Sequence, residues 1–112
     1  MTEDDRSEIR RAFNEAVNMS VAEIEDWLAT DKSKGVGMTR EGDEEAVGHK
    51  SGRRIVDIKR REANEFDDAD YAHMRKVVGY VHRHLAQRPA HDVTETRWRY
   101  SLMNWGHDPL KQ

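Results

Sequence analysis

No cysteine occurs among the 112 residues, which excludes disulfides, thiolate metal sites and a cysteine nucleophile. Only two prolines are present, Pro89 and Pro109, both where a helix would exit. No apolar run approaches the roughly 18 residues that a membrane helix needs, and the opening MTEDDRSE is the reverse of a signal peptide. The expected compartment is therefore the cytoplasm, with no membrane partner. Hydrophobic residues are scarce as well, 36% of the chain against 37% charged, and the mean hydropathy is −1.03. Such a composition borders on disorder, but the apolar residues recur periodically, which favours a folded domain. Length then bounds it to one domain over residues 1–112 with a modest core.

The net charge of −3 is unevenly spread. Residues 1–31 hold nine acids and three bases, whereas residues 49–88 hold ten bases and six acids. An acidic front and a basic middle point to a partner-facing surface more than the total does.

Helical spacing accounts for most of the chain. Ile9, Phe13, Ala16 and Val17 predict a first helix from about Asp5 to Asn18, leaving residues 1–4 outside the fold. Ser20 and Glu23 form a capping box ahead of the stripe Val21, Ile24, Trp27 and Leu28. Residues 32–48 are rich in glycine and charge and read as a long loop or a short β-hairpin turning near Glu41-Gly42-Asp43. A third helix is expected from Ser51 to about Ala63. A fourth follows Asp67, with Asp70 in its first turn, and runs to Gln87 along the seam Tyr71, Met74, Val78, Val81 and Leu85. A fifth follows the box at Asp92–Glu95 and stops at Gly106, with residues 110–112 as a tail. The expected fold is all-α, a compact single domain of about five helices.

The most informative stretch is GHKSGRRIVDIKRR, residues 48–61. Wound as a helix, it places Arg53, Arg54, Arg60 and Arg61, with Lys50 just before them, within an arc of about 120°. Only Asp57 interrupts that arc. A helix opening at Ser51-Gly52 would offer free N–H groups to a phosphate oxygen, reinforced by Arg53 and Arg54. Arg75, Lys76 and Arg83 of the next helix extend the charge, Arg75 from a different side. The glycine spacing of a P-loop is missing, so nucleotide hydrolysis is unsupported. The competing reading is a solvated face whose arginines pair with Glu23, Glu25 and Asp26.

Six histidines form no i,i+4 pair and no ligand set, so no metal and no cofactor is expected. His73 and His84 read as sources of interhelical hydrogen bonds. With Val77 and Tyr80 they also form a stripe, His73/Val77/Tyr80/His84, that would suit a partner helix in a homo-oligomer. Asn104, His107 and Asp108 read as a helix-terminating cap rather than a catalytic cluster. An acid/base enzyme built on His107 is the weakest option. Trp98, Leu102 and Trp105 project together and read as core, not as an exposed stacking platform.

Taken together, SGRRIVDI, YAHMRKVVGYVHRHLAQRP and RWRYSLMNWGHDP resemble a family of small bacterial and fungal proteins, the domain of unknown function numbered 3140. The similarity runs from about Phe13 to Leu110, and NWGHDP is its most specific part. The resemblance implies no activity and identifies no contact residue. Some members carry a DNA-binding label, which agrees with the arginine arc. The expected function is a non-enzymatic, DNA-associated module gripping the phosphate backbone without sequence readout, through Lys50, Ser51, Gly52, Arg53, Arg54, Arg60 and Arg61. The alternative is a protein-interaction or homo-oligomerising domain without a nucleic-acid role.

Overall fold

Thr2 caps the first helix. Its hydroxyl accepts the Asp5 N–H at 3.1 Å, and the Asp5 carboxylate accepts the Thr2 N–H at 3.3 Å, so a reciprocal box caps the first helix. The computed structural model describes residues 2–36 and 47–111, and the described residues form helices with no strand. The protein is all-α. Helix α1 runs Glu3–Ala16, so residues 2–4, expected outside the fold, are its cap and first turn. It buries Ile9, Phe13 and Ala16 against α5.

Helix α2, Val21–Leu28, has the expected Ser20/Glu23 capping box. Thr30 then accepts the Ser33 N–H at 3.1 Å and starts a short α3, Asp31–Gly35. That helix occupies the front of the segment read as a loop or hairpin. The turn at Glu41-Gly42-Asp43 lies outside the described residues.

Helix α4, Val47–Lys59, begins four residues before Ser51 and ends four before Ala63. Its start was concealed by Gly48 and Gly52, which resemble breakers but are buried in the helix. Gly52 is there because helices meet at it. A Cβ on this residue would come within 2.7 Å of both the Asn104 carbonyl oxygen and Leu28 Cδ2. A 3-10 turn at Ala63–Glu65 leads to α5, Asp68–Leu85, capped by the Asp67/Asp70 box.

Helix α6 spans Arg97–Asn104 under a Thr96 cap. It starts later than the box at Asp92–Glu95 implied, because the Asp92 carboxylate instead turns the chain by accepting the Thr94 N–H at 2.9 Å. Gly106 ends the segment as expected, with φ +80°, a left-handed conformation that favours glycine. The fold thus has six α-helices and a 3-10 turn among the described residues, not five helices. Trp98 and Trp105 are 9% and 4% exposed; they are core, joining Val77, Val81, Ile24, Ile55 and Leu102 in one cluster.

Candidate anion-binding cleft

Helix α4 presents two faces. Ser51, Gly52, Ile55, Val56 and Ile58 are buried, while Lys50, Arg53, Arg54, Asp57 and Arg60 face outward. Ser51 and Gly52 lie a full turn inside the helix, so their N–H groups belong to its hydrogen-bond ladder. The phosphate site expected at a helix start there is therefore not formed at those amides.

The arginine arc divides according to its carboxylate partners. Arg60 meets Glu25 of α2 at 2.7 Å. Arg61 donates to both oxygens of Asp70, at 2.9 and 2.8 Å, and to Asp57 at 2.9 Å. Asp70 is 3% exposed and also accepts the Asp67 N–H. The Arg61 guanidinium holds its carboxyl well below the usual carboxylate range, against burial that would raise it. Arg61 is in turn raised above the ordinary arginine value by that bond. Of the three acids expected to mask the arc, Glu25 does so, whereas Glu23 pairs with Lys111. That lysine, together with the Ser20 backbone N–H, brings Glu23 down to about 2.

Arg54 is placed differently. It reaches Asp70 only at 3.4 Å, and 43% of its side chain remains exposed. Because Arg61 already engages both Asp70 oxygens, Arg54 adds a second positive charge to a carboxylate that needs one. It points into an open cleft of about 450 Å³ between α4 and α5, lined by Val47, Lys50, Ser51, Arg53, Arg54, His73, Lys76 and Trp105. Lys50, Arg53, Arg54 and Lys76 are its cations, and among the described residues no carboxylate lines it; neither Lys50 nor Arg53 is without a partner.

His73 lies beside Ser51, with Nε2 3.0 Å from the serine Oγ. Burial lowers its pKa to about 4, helped by the charges of Arg54 and Lys76 and opposed by Ser51 and Asp70. At neutral pH it is an uncharged imidazole among cations. The interhelical hydrogen bond expected of His73 thus forms to α4. The sequence pointed to Lys76 but not to this meeting of His73 with Ser51, since no spacing rule brings together residues 22 apart on different helices.

The stripe His73/Val77/Tyr80/His84 meets α6 and the residue after it. The Tyr80 and Trp105 rings stack at 4.3 Å, Tyr80 and His84 at 4.9 Å, and the Trp98 indole N–H donates to the His84 carbonyl at 2.7 Å. Val77 is fully buried. Of the stripe expected to suit a partner helix, Val77 is thus taken up by the core, while His73, Tyr80 and His84 stay partly exposed beside the α6 tryptophans. His49 donates from Nε2 to the Leu28 carbonyl, and no cluster of metal-ligating side chains occurs among the described residues.

The closing NWGHDP is structural throughout. Asn104, 1% exposed, accepts the Trp27 indole N–H at 2.8 Å and the Ser33 hydroxyl at 2.5 Å, and donates to the Ser33 carbonyl at 3.1 Å. His107 donates from Nδ1 to the Ala16 carbonyl at 2.7 Å. Asp108 receives two bonds from the Arg99 guanidinium, both 3.1 Å, and its backbone exchanges bonds with the Asn18 side chain. The cap expected here exists, and it also fastens the C-terminal segment to the α1–α2 junction.

No helix among the described residues is long and apolar enough to cross a membrane. No curated protein and no solved structure is significantly similar to the chain. One family model, described as "Protein of unknown function (DUF3140)", matches residues 12–103, a span that holds the end of α1, α2 through α5, α6 up to Met103 and every residue lining the cleft except Trp105. The chain belongs to the DUF3140 family.

Proposed function

We propose that the protein is a non-enzymatic binding module for the phosphate backbone of nucleic acid, DNA in the first instance, acting in the cytoplasm. One observation carries this reading: Arg54 and Lys76 line one cleft between α4 and α5 in whose lining no carboxylate occurs among the described residues. Local positive potential of this kind can bind phosphate even when the whole molecule is acidic, because no α1 residue lines the cleft and exposed charges further off than a Debye length of about 8 Å are largely screened. The contact set is narrower than the arc suggests. Arg60 and Arg61 serve internal carboxylates, while Arg54 and Lys76 face the ligand. The binding is backbone-directed, with no side chain assigned to a base edge.

The test is fluorescence anisotropy of a labelled duplex across a salt series. Wild type should bind with affinity falling steeply, by about 0.9 log units per log unit of salt for each phosphate engaged. An Arg54→Ala/Lys76→Ala variant should lose most of that slope, whereas Arg60→Ala should keep it. Absence of wild-type binding at low salt overturns the reading and favours the interaction-domain alternative. A mass rising with concentration in the absence of DNA would support that alternative.

A further inference from the structure

At its C-terminal end, α4 borders a second recess, shared with α1. Phe13, Ile58 and Met74 form its floor, each at most 2% exposed, and partly exposed Phe66 stands beside them. The recess holds about 310 Å³, at the small end of the range of ligand pockets. Its cations are Arg10, Lys59 and Arg61, and among the described residues no carboxylate lines it. Two of the three are already compensated. Arg10 donates to the Tyr71 hydroxyl at 2.7 Å and to Glu3 at 3.0 Å, and Arg61 is taken up by Asp70 and Asp57.

Lys59 is the third. It is half-buried, and among the described residues it has no hydrogen-bond or ion-pair partner. Burial lowers its pKa, as expected of an ammonium with no opposite charge beside it. A lysine stem lying over apolar surface is ordinary. Here the charge also stands uncompensated at an open recess with an apolar floor, where one ligand could satisfy the ammonium and cover the hydrocarbon together. We propose that this recess binds a small monocarboxylate with an apolar body, its carboxylate on Lys59 and its hydrocarbon over Phe13, Ile58 and Met74. The site is separate from the α4–α5 cleft and does not depend on the phosphate reading. Charge selects a carboxylate over a phosphate monoester, because one uncompensated cation matches one negative charge. The monoester approaches two at neutral pH, and the second would face the apolar wall. Exposed Asn14, also in the lining, offers an amide donor to the same headgroup. The volume suits a single ring or a short chain and excludes a long acyl tail.

The test is titration calorimetry at neutral pH with phenylpropanoate, hexanoate and phenylpropanamide, the last matching the first in shape without its charge. Phenylpropanoate should bind about tenfold tighter than the amide, the worth of one charge-assisted contact. Lys59→Met keeps an apolar stem and removes the ammonium, so it should bind acid and amide alike. The Arg54→Ala/Lys76→Ala variant should bind the acid as wild type does. Should Lys59→Met unfold, isotope-labelled lysine in wild type gives the same answer: the Lys59 side-chain resonance must move more with the acid than with the amide. Tighter binding of phenylpropanoate than of hexanoate would assign the recess to aryl acids, and the reverse to aliphatic ones. Equal affinity of acid and amide in wild type overturns the inference, as does full acid affinity in Lys59→Met. Loss of acid binding in Arg54→Ala/Lys76→Ala would place the acid in the other cleft and overturn it too. So would the absence of binding by either acid with a Kd below about 1 mM. Duplex binding stands or falls separately.

Discussion

At the scale of single residues, buried polar side chains hold the helices in place, and Asn104 does most. Its amide joins α2 through Trp27 and α3 through Ser33. Replacing it with alanine would leave an indole N–H and a hydroxyl facing apolar surroundings. Asn104→Ala should therefore lower unfolding free energy by about 2–4 kcal/mol, measured by urea denaturation. A loss under about 1 kcal/mol would mean that water replaces the amide. This role was not legible in the sequence. Asn104 was visible as part of a terminal cap, but its partner Ser33 is 71 positions away in a stretch that resembled loop. Asp70 behaves similarly: its place in the first turn of α5 could be read, whereas its engagement by Arg61 depends on how α4 and α5 meet.

At the scale of elements, caps were legible where side chain and backbone lie three residues apart. The Ser20/Glu23 box formed as its spacing implied, and the helix expected after Asp67 with Asp70 in its first turn proved to be capped by that pair. The misplaced boundaries have physical causes of another kind. The α6 start slipped because Asp92 satisfies a turn and Thr96 takes over the cap. The α4 start slipped because glycine carries two meanings, local flexibility and close approach, and only packing separates them. Gly52 belongs to the second. Gly52→Ala should raise intrinsic helix propensity and still destabilise the protein by about 1–3 kcal/mol, because the added methyl meets the Asn104 carbonyl and Leu28. Thermal unfolding compared with Ala substitution at exposed Glu8 of α1 provides the reference. A stabilised Gly52→Ala protein would refute the close contact. The arginine arc was likewise legible as periodicity, and its division between internal partners and the cleft was not.

At the scale of the whole molecule, acid stability should decline in two separate windows. The pKa of His73 is lowered from 6.5 to about 4 by burial and by Arg54 and Lys76, and burial lowers His84 as well. Between those values the unfolded chain binds a proton that the folded chain refuses, so stability falls as pH drops from about 6.5 to 4. The Asp70 carboxyl is depressed by Arg61. Its contribution is present above its ordinary value of 3.8 and disappears only as pH falls well below that. Melting temperatures from pH 8 to pH 3 should show both declines, and His73→Gln should flatten the upper one. A curve level from pH 6.5 to 4 would contradict the burial of the imidazole.

The bonds between Asn18 and Asp108 join positions 90 apart in the chain, with Met19 N–H reaching the Gly106 carbonyl beside them. Closing a loop of that length alone costs about 4 kcal/mol in chain entropy, more than these few bonds return at about 1 kcal/mol each. The closure therefore follows α1–α5 docking, which shortens the loop. During folding, Val17 and Met19 stay exposed until the last segment arrives. On this order of events, a chain whose last segment has not docked would leave this apolar corner open, and aggregation would compete with folding at that step.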